Sequence, residues 1–230
     1  MFVKRAAVAA FVLCAGMLAG CSEVESVVRL PDAPPPAHQL PSPPAEGCGG
    51  KVEDVADVQQ IILEPAGCPG AVNSYWYGEL GEAWTTPTYI EYRDGEIPAI
   101  ACAEGVDDPH LFAGNALYCP ADDTIAYSVD FMTELFEIGG PSYPMFVIMH
   151  ELGHRAAQIG DPVGVVSRAE ENQADCLAGR QTRFASDADR LDLGDAFNGA
   201  LLFFSLGDTR GGWVDQEAAS EPDAHGTPRQ

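Results

Sequence analysis

Basic residues are scarce in this chain. Its 230 residues include 12 Lys and Arg against 35 Asp and Glu, a formal net charge of −23. So small a supply of cations excludes recognition of a phosphate backbone, or of an anionic bilayer, through a basic patch, and no nucleic-acid partner is expected. The acidic surplus reads as a solvated, self-repelling surface. A membrane-spanning run is missing too. The N-terminal apolar stretch, residues 6–18, has 13 positions, too few to cross a bilayer comfortably. No Cys-x-x-Cys pair occurs, which argues against a structural Cys/His zinc module. No internal repeat is found, which removes solenoids and propellers. What is left is 46% hydrophobic with mean hydropathy near zero, a composition that suits one globular domain with a real core.

The N-terminus reads as an address. Lys4 and Arg5 precede the short apolar run, and Leu18-Ala19-Gly20-Cys21 closes it. Such a pattern fits a signal peptide over residues 1–20. A Cys directly after small residues resembles the lipobox of bacterial lipoproteins. That resemblance implies cleavage before Cys21 and acylation of its thiol, palmitate being a common chain. Two or three acyl chains anchor stably where one does not. Residues 21–47 contain Pro31, Pro34, Pro35, Pro36, Pro41, Pro43 and Pro44, a stiff and unpacked tether. The domain proper is then residues 48–230, held on the outer face of a cell membrane. In that oxidising compartment Cys48, Cys68, Cys102, Cys119 and Cys176 should pair where they can. Nearest-neighbour pairing gives Cys48–Cys68 and Cys102–Cys119, a connectivity the sequence alone does not fix. Cys176, amid apolar residues at helical spacing, reads as a buried, inert thiol.

Periodicity gives the layout. Residues 52–63 have helical spacing, with Val52, Val55, Val58, Ile61 and Ile62 on one side. Residues 75–92, aromatic and Thr-rich but broken by Gly and Pro, are expected to hold short strands and loops, one strand being residues 88–92. Residues 116–119 and 124–128 are β-prone and flank Pro120-Ala121-Asp122-Asp123, which predicts a hairpin. A helix over residues 131–138 stops at Gly139-Gly140-Pro141. Three further helices are expected, over residues 144–159, 168–184 and 193–206. The fold class is therefore α+β, mostly helical with a small hairpin or sheet.

The chemistry sits in His150-Glu151-Leu152-Gly153-His154. Imidazoles four apart on a helix share one face, a natural pair of zinc ligands, and the Glu between them can reach the open side of the metal as general base. The preceding Met145-Phe146-Val147-Ile148-Met149 is apolar all round, so this helix is buried and its polar groups need partners. Gly153 permits another backbone to approach. A third ligand is sought downstream. Ser167 and Glu170 have the spacing of a capping box, which leaves Glu171 free to point inward as the ligand. Asp175, one turn on, is placed to accept the N–H of a metal-bound imidazole. One zinc ion per chain is expected.

Together these residues resemble the neutral zinc metallopeptidase family of bacteria, over roughly residues 102–230. The resemblance rests on Tyr118-Cys119-Pro120-Ala121-Asp122, on Phe146-Val147-Ile148 leading into the His-Glu-Leu-Gly-His segment, and on Gln173-Ala174-Asp175-Cys176-Leu177-Ala178-Gly179. It continues through Gly194-Asp195-Ala196 and Gly207-Asp208 to His225-Gly226-Thr227. It implies a zincin-like fold with a Glu as third ligand, and hence a gluzincin-like metalloendopeptidase that hydrolyses peptide or protein substrates with a metal-activated water. Where the family often has a second His after its zinc motif, this chain has Arg155. The covered segment also contains His225. Oxyanions formed at a carbonyl are often stabilised by a His or Tyr donor, so His225 is the candidate, with Asp223 to orient it and Tyr118 and Tyr127 as rivals. The alternative function is a non-catalytic zinc-binding lipoprotein with an envelope binding or organising role.

Overall fold

The computed structural model describes residues 37–160, 168–192 and 194. Its first helix, α1 (Val55–Leu63), begins three residues later than the apolar periodicity suggests, because Asp54 caps it. The Asp54 carboxylate accepts from Asp57 N at 2.9 Å, and the Asp57 carboxylate accepts from Asp54 N at 3.2 Å, a reciprocal capping box. Val58, Ile61 and Ile62 then face the core.

Helix α2 (Val72–Leu80) corrects the expectation of strands and loops from residue 75 onward. Aromatic residues favour strands through the surfaces they pack against, and here tertiary packing selects a helix instead. Trp76 stacks on Trp84 with ring centroids 5.4 Å apart, and Tyr75 meets Trp76 edge-on at 4.9 Å. The expected strand at the end of this stretch is present as β1 (Thr88–Tyr92).

Strands β2 (Ala116–Cys119) and β3 (Thr124–Ser128) form the expected antiparallel hairpin, and β3 also pairs in parallel with β1, giving the order β1-β3-β2. Every residue of β3 is buried. Ile125 and Tyr127 enter the main core on one face, while Ala126 joins Tyr92, Ile100, Phe112 and Cys119 on the other. Ser128 then caps α3 (Val129–Gly139) by accepting from Phe131 N.

Two long helices follow, α4 (Ser142–Gly160) and α5 (Arg168–Asp187). Met145, Phe146, Val147, Ile148 and Met149 are all buried, so α4 is the central helix of the domain. The α4–α5 contact is set by Gly153: a Cβ there would lie 2.8 Å from the Ala174 Cα and 3.0 Å from its carbonyl oxygen. The molecule is thus α+β, helices around a small three-stranded mixed sheet. No described helix is long and apolar enough to cross a membrane.

Disulfides join Cys48 to Cys68 and Cys102 to Cys119. Cys176 is half-buried on α5, less enclosed than expected. The end of the Pro-rich segment is not unpacked as expected. His38 N donates to Gly78 O at 2.8 Å, and the Pro41 and Ser42 carbonyls lie against Gly67. Residues 1–36, which include the signal peptide, Cys21 and most of the tether, lie outside the described residues, as does the expected helix over 193–206 apart from Gly194.

Two glycines give a test of opposite sign. A Cβ at Gly179 on α5 would meet nothing within 4 Å, so Gly179→Ala should raise stability by up to about 1 kcal/mol through helix propensity. Gly153→Ala gains the same propensity but forces two backbones apart, an overpacking cost of about 1–3 kcal/mol, and should lower it. Thermal denaturation of both variants checks this. Stabilisation by both would remove the close-approach argument.

Candidate metal centre

The site is built on the face of α4 that meets the first turns of α5. His150 and His154, one helical turn apart, bring their Nε2 atoms to 3.0 Å. Glu171, in the first turn of α5, places Oε2 3.2 Å from His150 Nε2 and Oε1 3.4 Å from His154 Nε2. A carboxylate there also lies at the positive end of the helix dipole. His150, Glu151 and Glu171 are buried and His154 is half-buried.

These three spacings decide what the cluster can hold. A tetrahedral ion with bonds of about 2.0–2.1 Å has ligand atoms about 3.3–3.4 Å apart. The two Nε2 atoms are 3.0 Å apart, and Glu171 meets each with a different oxygen, at 3.2 and 3.4 Å, contacts of that length. Two imidazoles and one carboxylate suit zinc and other imidazole-preferring divalent ions, and suit Mg²⁺ or Ca²⁺ poorly. The described residues contain this one group of ligand atoms that could hold a metal.

Asp175 fixes the direction of His150. Its Oδ1 lies 2.7 Å from His150 Nδ1. An ionised carboxylate can only accept, so Nδ1 carries a proton and Nε2 faces His154 and Glu171. Burial opposes a charged His150. The hydrogen bonds to Asp175 and Glu171, with Glu151 nearby, outweigh it and push the imidazole up to about 10. The cluster is thus strongly cation-seeking, and a metal bound at Nε2 would displace the proton there.

Glu151 stands outside the ligand set. Its Oε2 accepts from the Tyr118 backbone N–H at 2.8 Å, so the base candidate is held by edge strand β2. Burial pushes its carboxyl up, with the two imidazoles and the Tyr118 amide pulling the other way.

Next to His154, Arg155 is buried and grips Asp123 in the β2–β3 turn with Nε at 2.6 Å and Nη2 at 2.7 Å. The sequence reading gave Arg155 no role. The available signal was a charge set in a buried helix, which demands a partner but does not name one.

The other candidates fare differently. Tyr127 donates to Glu91 at 2.9 Å, and Tyr118 donates to Asp123 at 3.2 Å with its phenol pushed up to about 12 by burial and Asp123, so both hydroxyls are engaged away from the ligand set. His225, Asp223, Ser167 and Cys21 lie outside the described residues. Glu170 is half-buried beside Glu171.

Removing one ligand and one supporting group should give graded losses. Glu171→Ala should abolish stoichiometric metal binding. Asp175→Ala should keep the ligand set and weaken affinity by about 10–100-fold, as loss of a group orienting a ligand typically does. Competition with a chromophoric chelator measures both. Equal affinities in Glu171→Ala and wild type would exclude Glu171 as a ligand.

No family model matches the chain. Uncharacterized proteins from Mycobacterium bovis and from two strains of Mycobacterium tuberculosis are each 33% identical to it, over a region covering 30% of this chain and 28% of theirs. The chain therefore matches less than a third of the length of these curated relatives. No solved structure matches it.

Proposed function

We propose that this protein is a zinc-dependent endopeptidase, with a zincin-like arrangement, anchored by lipid on the outer face of a bacterial membrane. The observation that carries the reading is Glu151. It is a buried carboxylate between two imidazoles that share a cation site, yet it is bound to the Tyr118 amide and leaves the ligand positions to His150, His154 and Glu171. A purely structural metal site has no use for such a group, which is costly to bury.

His150, His154 and Glu171 would hold the ion, and Asp175 would orient His150. Bound zinc supplies a Lewis acid that polarises a carbonyl and acidifies water. Glu151 takes the proton from the attacking water and passes it to the leaving amine. The edge strand β2, packed beside α4, keeps Glu151 pointed.

The envelope placement is supported by the Leu18-Ala19-Gly20-Cys21 segment and by two disulfides, which persist in oxidising compartments. Cys21→Ser should move the protein from the membrane pellet to an unprocessed or soluble form in cell fractionation. Unchanged processing and pelleting would exclude the anchor.

The catalytic reading is tested with Glu151→Gln. Metal content should match wild type, while cleavage of a peptide library falls by about 10²–10⁴-fold, the usual contribution of a positioned acid–base group. Undiminished turnover would remove Glu151 as base. A zinc-loaded wild type that cleaves no peptide would leave a metal-binding envelope lipoprotein.

A further inference from the structure

We propose that Arg155 and Asp123 form a positioning pair that keeps Glu151 aimed, through the hairpin strand β2, a role that rests on the catalytic reading of Glu151 above. Arg155 follows Glu151 by four residues, so both side chains leave the same face of α4 about one turn apart. The hairpin is gripped at both points. Glu151 Oε2 accepts the Tyr118 N–H at 2.8 Å, and the Arg155 guanidinium forks onto Asp123 with contacts of 2.6 and 2.7 Å. Asp123 Oδ1 also accepts the Tyr118 hydroxyl at 3.2 Å. Tyr118 is thereby held at its amide by the base and at its phenol by the partner of Arg155. The loop Glu151, Tyr118, Asp123, Arg155 closes on itself within one helix face and one hairpin.

Three features separate this from ordinary helix–sheet adhesion. The guanidinium is nearly fully buried and is oriented twice more, by Thr85 Oγ1 at 3.0 Å and by the Trp84 ring with Cζ 4.3 Å from its centroid. Its Nη1 is buried with no hydrogen-bond partner among the described residues, so the arrangement is not the one that maximises stability. An apolar side chain would hold the helix to the sheet without the desolvation of an ion pair. Asp123, moreover, takes φ +53°, a left-handed turn conformation that aspartate tolerates better than most residues, so the turn itself presents this carboxylate to Arg155. A fixed, two-pronged link makes sense where direction matters, as it does for the amide that aims Glu151.

The test reads geometry and turnover separately, on the full zinc-loaded chain. Asp123→Asn keeps the shape and tolerates the left-handed φ but loses the charge. Arg155→Lys keeps the charge but loses the fork. If Arg155→Lys fails to fold, Asp123→Asn decides, because its side chain is 47% exposed in a turn. Amide hydrogen exchange at Tyr118 should speed up by about tenfold or more, as expected when a hydrogen bond to a charged group is loosened. Protection at Ile125 and zinc stoichiometry should stay at wild-type values. In the same variants kcat should fall by about 10–100-fold with KM unchanged, the signature of a misplaced catalytic group. Unchanged Tyr118 exchange in folded variants would overturn the proposal, as would faster exchange with wild-type kcat. Equal loss of protection across the sheet would show a merely structural role and overturn it too. A wild type that cleaves no peptide would remove the catalytic reading, and the positioning role with it, and that failure shows in the wild type rather than in the variants.

Discussion

The approach of α5 to α4 at Gly153 is the constraint on which the rest depends. The helix backbones come so close there that a single Cβ would meet the Ala174 backbone at 2.8 Å. Ala174 stands three residues beyond Glu171 and one before Asp175. Fixing it therefore fixes the depth at which Glu171 reaches His150 and His154, and the side from which Asp175 meets His150. A wider interhelical spacing would carry the carboxylate away from the imidazoles, whose Nε2 atoms its two oxygens now meet at 3.2 and 3.4 Å. The glycine is placed between the two imidazoles because that is where the second helix must pass.

Electrostatics adds the second constraint. Glu151 and Glu171 are buried and Asp175 is half-buried, all three around two imidazoles. Such a group is unfavourable unless a cation joins it, and the raised proton affinity of His150 is the metal-free form of that demand. The two carboxylates on either side of the imidazoles point in different directions. Glu171 turns toward the Nε2 atoms, and Glu151 turns toward the hairpin. The division is made by backbone partners, since Glu151 is claimed by the Tyr118 N–H.

Much of the domain could be read from local pattern. His150 and His154 are legible because a period of 3.6 puts residues four apart on one face. Gly153 is legible as a close approach, although not which backbone approaches. The hairpin follows from two short β-prone runs around a Pro-Ala-Asp-Asp turn. Non-local features were not legible. The parallel pairing of β1 with β3 joins segments that nothing in either sequence registers. The helix through Tyr75 and Trp76 reads locally as strand, and only its packing on Trp84 and Phe184 makes it helical. The Arg155–Asp123 pair spans 32 residues, and a turn aspartate ordinarily serves its own turn. The packed end of the Pro-rich segment was missed for the same reason, since its partners Gly67 and Gly78 are distant in sequence.

The central claim is that His150, His154 and Glu171 form one zinc site that leaves Glu151 outside it. The most direct measurement is a crystal structure of the zinc-loaded protein with anomalous scattering recorded at the zinc edge. The account predicts a single ion about 2.0–2.2 Å from Nε2 of both imidazoles and from a Glu171 carboxylate oxygen, with Glu151 beyond bonding distance and still on the Tyr118 amide. An ion bound elsewhere, or bound by Glu151 in place of Glu171, would contradict it.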